Sequence, residues 1–310
     1  MRAPRSSIAI DWGTLAPLRL RARSISDGVW AGAHRSVRKG PGVEFGGDRP
    51  YVPGDDLRWL DRHSVLRHDR LMIREFETET DRGLRLVLDA SASMAHRSRD
   101  APGSKFAYAA VVAAALARVS LSSGDPVGLS FMGGDRIEPL AAVAGREAFE
   151  RVVGALESAR VFGDLSADAA SVERVFATIA RRSRRGTIVV LLSDLIDLPA
   201  HTLDHFAALA SAGRVLVAVQ VLDPEEEAFP FEGTVRLRAL EGETIAETDA
   251  TVTRGHYLRI LDEIARDWSE RLAGRGGHFL KTQTTRDAAT VVREIVMRVA
   301  GTVRAVEAVR

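Results

Sequence analysis

The sequence predicts an α/β protein built on a doubly wound, mostly parallel sheet, and three observations carry that expectation. Four short runs, Leu84–Asp89, Pro126–Met132, Ile188–Leu192 and Arg214–Leu222, are apolar almost throughout, as strands covered on both faces are. Segments of helical period lie between them, so strand and helix alternate along the chain. Two of these runs also end in acids, "LRLVLD" in Asp89 and "TIVVLLSD" in Asp194. Open α/β sheets bind ligands at that strand edge.

Taken in order, residues 1–50 are poorly periodic and hold nine Arg or Lys against four Asp or Glu, with "KGPGVEFGGDRP" as a loop-forming cluster. Pro53-Gly54 fits a type II turn, after which Asp55 or Asp56 caps a short helix through Leu57, Leu60 and Ser64. Arg70–Thr80 alternates as a strand does. The apolar strand Leu84–Asp89 is followed by Phe106–Leu121, a helix apolar around most of its circumference and therefore expected in the core. "RIEPLA" is expected to pair beside the strand Pro126–Met132. Arg146–Ala159, Ala167–Arg182 and Pro199–Ala212 read as helices, and Ile188–Leu192 and Arg214–Leu222 as the central strands. A loop with a short hairpin is expected after Asp223, then helix Arg254–Ala273, strand "GHFLKTQT" and helix Arg286–Val303. The expected division is an N-terminal segment 1–82, an α/β domain 83–303 and a tail 304–310.

Composition narrows the function. The chain has 310 residues, a net charge of +1, 45% hydrophobic residues and no cysteine, which excludes a disulfide framework and a thiolate metal site. No window reaches the roughly 18 continuous apolar residues of a membrane span, and the N-terminus carries only a token apolar stretch. A cytoplasmic protein is the expectation. The basic N-terminal residues read as solubilising, and "RRSRR" (Arg181–Arg185) as cations at a helix C-terminus, so nucleic acid is not the expected partner. His201 and His205 stand four apart, but Thr202 sits where a zinc protease has its glutamate. There is no P-loop motif and no Gly-x-Ser-x-Gly elbow.

The chemistry concentrates on Asp89, Ser91, Ser93 and Asp194. In a parallel sheet the two strand tails emerge on one edge, so their carboxylates and hydroxyls converge across about a hundred residues of sequence. Carboxylate and hydroxyl oxygens, with no His or Cys among them, suit Mg²⁺ or Mn²⁺. Neutral serine ligands leave such an ion electrophilic, which favours gripping a further carboxylate over hydrolysis.

Asp-x-Ser-x-Ser after the first strand, with an aspartate after a later central strand, resembles the metal-ion-dependent adhesion site of von Willebrand factor A domains. The stretch "YVPGDDLR" (Tyr51–Arg58), then Leu60-Asp61 and "REFETE" before the first strand, resembles the DUF58 family of bacterial proteins. The likeness covers roughly residues 35–300. It implies that Ser91 and Ser93 coordinate the ion while Asp89 and Asp194 act directly or through water. It also implies a partner, a MoxR-type AAA+ ATPase, with the pair acting in assembly or maturation of protein complexes. Asp55, Asp56 and Arg58 are then docking candidates, beside their simpler reading as turn and cap residues. The A-domain pattern has a threonine where this chain has Gly163-Asp164-Leu165, so either Asp164 or Ser166 takes that role or the site lacks a ligand.

The resulting expectation is a non-enzymatic, metal-dependent protein-binding module that takes an acidic motif. One alternative is a Mg²⁺-dependent phosphoesterase of haloacid-dehalogenase type, which needs a second aspartate where this chain has Ser91. The other is a metal-free scaffold with a vestigial site.

Overall fold

The computed structural model describes residues 9–32, 44–50, 60–61, 71–77, 83–134, 138–238 and 245–308. Helix α1 (Leu18–Gly32) comes first, then strands β1 (Glu44–Pro50), β2 (Leu60–Asp61), β3 (Met72–Glu77) and β4 (Leu84–Asp89). Helix α2 (Lys105–Ser122), strands β5 (Val127–Met132) and β6 (Leu140–Val143), and helices α3 (Arg146–Ser158) and α4 (Ala169–Arg182) follow. Next come strand β7 (Ile188–Ser193), helix α5 (Thr202–Ala208), strand β8 (Val215–Leu222) and helix α6 (Pro224–Ala228). The hairpin β9 (Thr234–Arg238) and β10 (Ile245–Asp249) precedes helix α7 (Ala250–Ala273), strand β11 (His278–Gln283) and helix α8 (Ala288–Ala308).

The chain divides into two compact units, residues 33–81 and residues 1–32 with 82–310. In the smaller unit β1 and β2 both pair antiparallel with β3, and the ladder slips between Phe45 and Gly47. The "GVEFGGDRP" stretch, expected as loop, therefore contains a strand, and Leu60–Asp61, expected in a short helix, is extended opposite Ile73 and Met72. Cross-strand hydrogen bonding overrides the turn-forming glycines there. Asp55, Asp56 and Arg58 lie outside the described residues.

The larger unit is built on a six-stranded sheet in the order β11-β8-β7-β4-β5-β6. Every pairing is parallel except β5 with the edge strand β6. This is the doubly wound architecture that the apolar runs predict. The chain lays β5 and β6 on one side of β4, then crosses back to place β7 and β8 on the other. That reversal puts the topological switch point between β4 and β7.

Helix α2 shows why the sheet needs a second layer. Its residues from Lys105 to Ala117 are all buried, so it is covered on the side away from the sheet as well. Packed against it are α1, α3 and α8, with Leu18, Ala22, Phe149, Val291 and Ile295 in the same core. Among the described residues it is the one helix long and apolar enough to cross a membrane, and it is 72% buried inside the protein. The opposite face of the sheet carries α4, α5 and α7 over a core of Phe176, Phe206, Trp268 and Leu191. Burying one such large apolar side chain stabilises by about 1.5–3 kcal/mol.

The N-terminal segment is not uniformly irregular. Helix α1 buries Leu18, Ala22, Ser26 and Val29, one stripe at helical spacing whose small members mask its period in the sequence. Ahead of it, both carboxylate oxygens of Asp11 accept from Arg97 Nη1, at 2.7 and 2.8 Å, and its carbonyl accepts from the Ser104 N–H at 2.8 Å. The N-terminal residues thus hold the long loop that leads from β4 to α2.

Candidate functional site

Strands β4 and β7 end side by side at the switch point, and there the chain buries charge. Asp89, Ser91, Ser193 and Asp194 are each no more than 1% exposed. Asp89 Oδ1 accepts from the Ser91 N–H at 2.8 Å, and its Oδ2 accepts from the Ser193 hydroxyl at 2.5 Å. Asp194 Oδ1 accepts from the Ile196 N–H at 3.0 Å, while Gln220 Nε2 donates to the Asp194 carbonyl at 3.1 Å. Each acid therefore closes the turn that follows its own strand. Leu195 and Asp197 adopt φ of 61° and 53°, an uncommon conformation for residues other than glycine and one that concentrates at functional loops.

The hydroxyls of Ser91 and Ser93 share a hydrogen bond at 3.0 Å, and Ser93 is partly open to solvent. A metal with ligands at about 2.0–2.1 Å and octahedral angles separates adjacent ligand atoms by about 3 Å. The two serines match that spacing. Asp164 is arranged differently: its Oδ1 accepts from the Ser166 hydroxyl at 2.6 Å and from the Ala167 N–H at 3.3 Å, so it serves its own turn. The Gly163 carbonyl beside it accepts from the Ala92 N–H at 3.0 Å, which fastens this loop to the serine loop. Gly134 makes a second fastening. A Cβ there would meet the Arg160 carbonyl at 2.5 Å and Ala90 at 2.9 Å, and its φ is +66°, so only glycine fits.

Three further charged groups belong to this edge. Lys105, wholly buried at the start of α2, donates to Asp194 Oδ2 at 2.8 Å and to Glu226 Oε1 at 2.6 Å. Asp223, at the end of β8, caps α6 by accepting from the Glu225 N–H, and Glu226 Oε2 accepts from the Asp223 N–H at 3.0 Å. The sequence carries a signal for the last two, since "DPEE" spells an N-cap, a proline at the first helical position and a capping-box glutamate. Lys105 has a fainter one: it is the cation at the start of a helix otherwise apolar for most of its length.

The electrostatics follow from this crowding. Burial first, and the charge of Asp194 second, push the Asp89 carboxyl up to about 7 against the hydrogen bonds from Ser193 and Ser91. Burial works to lower Lys105, but Asp194 and Glu226 outweigh it and hold the ammonium protonated above its ordinary value. Glu226 is raised by burial and by Asp194, with Lys105 opposing. Exposed Asp197 is raised as well, by desolvation and then by Asp194 and Asp164, so five carboxylates share one field.

These residues fit a divalent cation in part. Ser91 and Ser93 present oxygens of the right kind and spacing, whereas both Asp89 oxygens already accept hydrogen bonds and Asp194 Oδ2 faces an ammonium. Among the described residues no three His, Asp or Glu side chains converge as a metal cluster, so any ion here relies on the serines. A cleft of about 790 Å³ opens beside the site, lined by Phe131, Phe162, Asp164, Leu165, Arg174 and Val175 among others.

Comparison with known proteins agrees with the sequence signature. The chain is 30% identical over 295 residues, 92% of its length and 88% of theirs, to the uncharacterized proteins Rv1480 of Mycobacterium tuberculosis and Mb1516 of Mycobacterium bovis. Among solved structures it is similar to BatB from Bacteroides thetaiotaomicron, with 17% identity, 71% of this chain and 99% of that one covered, and a TM-score of 0.43. It is also similar to the SpRpn10 VWA domain, with 8% identity, 68% and 93% coverage and a TM-score of 0.37. The family model described as "Protein of unknown function DUF58" matches residues 47–265, and the chain belongs to the DUF58 family.

Proposed function

We propose that this protein is a non-enzymatic protein-binding module whose working surface is the carboxyl edge of β4 and β7, and that it takes an acidic side chain of a partner there. The observation that carries the reading is the pair of serine hydroxyls, 3.0 Å apart, of which Ser91 is buried and Ser93 partly open to solvent, beside the buried Asp89 at the switch point. Asp89, Ser91 and Ser93 would hold Mg²⁺ or Mn²⁺, with Asp194 and Asp164 farther out. When bound, the ion supplies an electrophilic centre for a partner's carboxylate. This chain's own residues do the rest. Asp89 orients the Ser91 loop, Ser193 fixes Asp89, and Gln220 holds the Asp194 backbone in register.

The cleft beside the site offers apolar walls of Phe131, Phe162, Leu165 and Val175 to the residues flanking such an acid, and its charged lining is Arg174 with Asp164 and Asp168. The DUF58 resemblance supplies the partner class, a MoxR-type AAA+ ATPase, and a role in assembling or maturing protein complexes. Capture of that ATPase by the wild-type chain in Mg²⁺, lost in EDTA and lost in Ser93→Ala, is the expected outcome. Equal capture in all three conditions overturns the metal-dependent reading.

One observation favours a second reading. Lys105 already supplies a positive charge to this edge, so partner binding that persists in chelator but fails when the Ser91 loop is altered points to a metal-free docking site.

A further inference from the structure

The metal-dependent reading gives no role to one group at the carboxyl edge. Lys105 is wholly buried, and its ammonium bridges Asp194 Oδ2 and Glu226 Oε1. A buried ammonium persists only with strong partners, and here those partners are themselves fixed. Asp194 is pinned by the Ile196 N–H, and Glu226 by the Asp223 N–H. Asp223 Oδ2 in turn accepts from the Ser98 N–H at 2.9 Å, within the loop that carries the serines toward α2. One lysine therefore ties the end of β7 to α6 and, through Asp223, to the serine loop.

The charge balance gives the tie a consequence. Above about pH 7, with Asp89, Asp194 and Glu226 ionised, these three and Lys105 hold three negative charges and one positive, an excess of two, beside the capping carboxylate of Asp223. We infer that Lys105 is the resident counter-ion of this edge and sets its affinity for a divalent cation. It occupies the Asp194 oxygen that would otherwise turn to the ion, and it cancels one of the three charges that draw the ion in. Lys105 is thus a positioning residue, and the wild-type edge takes an ion loosely, on the serine side, while keeping its loops in place without one. The inference rests on the proposed function for its ligand, a divalent cation, and for the serine-lined place where that ion sits.

The test is Mn²⁺ binding to the full chain, read from the electron paramagnetic resonance of free Mn²⁺, with circular dichroism reporting the fold. Lys105→Met alone leaves two buried carboxylates and the part-buried Glu226 without a counter-ion and risks the fold, so the informative variant is Lys105→Met combined with Glu226→Gln. It keeps the excess at two negative charges while freeing Asp194. With the excess unchanged, the gain comes from the Asp194 oxygen freed to face the ion, a unit charge acting over several ångströms at an effective dielectric of about 20, and Mn²⁺ binding is expected to tighten about tenfold or more. Glu226→Gln alone lowers the excess to one and is expected to bind more weakly than wild type. Adding Ser93→Ala to the double variant is expected to remove the gain, which places it at this site.

If wild type binds Mn²⁺ and the double variant binds no tighter, the role of Lys105 is wrong and the proposed function stands. If wild type is silent and the double variant binds, the role of Lys105 holds and the proposed function loses its metal. If neither binds at millimolar Mn²⁺, both are overturned.

Discussion

The two ends of the same sheet treat charge in opposite ways. At the amino end the cations are arginines, and they cap backbone. Arg85 donates to the Arg182 carbonyl at 2.8 Å, and Arg214 donates to the Ala180 and Ser183 carbonyls at 2.6 Å each, where α4 runs out. A helix C-terminus leaves carbonyls unpaired, so these arginines do structural work that any helix end asks for. At the carboxyl end Asp89, Asp194 and Asp223 are all buried, and a buried lysine and a part-buried glutamate join them. Turn closure explains one oxygen of each aspartate. It does not explain why the remaining oxygens crowd together or why an ammonium is sealed in beside them. Charge beyond structural need is the mark of a site, and only one end of the sheet has it.

The contrast can be broken or sharpened by mutation, and the largest effect is expected at Lys105. Lys105→Met strands Asp194 and Glu226 and should destabilise by about 3–5 kcal/mol in metal-free denaturant unfolding. A loss below about 1 kcal/mol would make the buried pair as dispensable as a surface one.

Next in size is the response to pH. Because the Asp89 carboxyl is raised to about 7 by burial and by Asp194, folding favours its protonated form. The stability it contributes is full below its unfolded value near 4 and is lost as pH rises through about 7, at no more than about 1.4 kcal/mol per pH unit. Metal-free wild type should therefore weaken from about pH 4 to 7 relative to Asp89→Asn. Identical slopes in the two proteins would remove Asp89 from the account.

The amino end should respond less. Arg214→Gln gives up its hydrogen bonds to carbonyls and is expected to lose about 1–2 kcal/mol, equally with or without Mg²⁺. Smallest of all, Ser93→Ala in EDTA should change stability by less than about 1 kcal/mol, since its hydroxyl is partly open to water.

Much of this was legible in the sequence, for physical reasons. Apolar runs such as Ile188–Leu192 mark strands covered on both faces, and Asp89 and Asp194 stand out because acids rarely follow such runs without purpose. What local pattern could not carry is long-range pairing. That β7 lies beside β4, so that Ser193 donates to Asp89, depends on crossover order. Lys105 was invisible as a site residue for the same reason. A lysine at a helix start reads as solvated until Asp194 and Glu226, 89 and 121 residues away, close over it. Helix α1 escaped because Ala22 and Ser26 fill its buried stripe where larger apolar residues announce a period. The strand within "VEFGGDRP" escaped because its glycines spell a turn, while β3 supplies the hydrogen bonds that extend it.

The most direct measurement is thermal unfolding of wild type and Ser93→Ala in Mg²⁺, Mn²⁺ and EDTA. A ligand at a hundred times its dissociation constant stabilises by about 2.7 kcal/mol. At about 2–4 °C per kcal/mol for domains of about 150–250 residues, that is a rise of several degrees. The account predicts a rise in wild type that disappears in Ser93→Ala. A wild type whose unfolding temperature is the same in millimolar metal and in EDTA would contradict it.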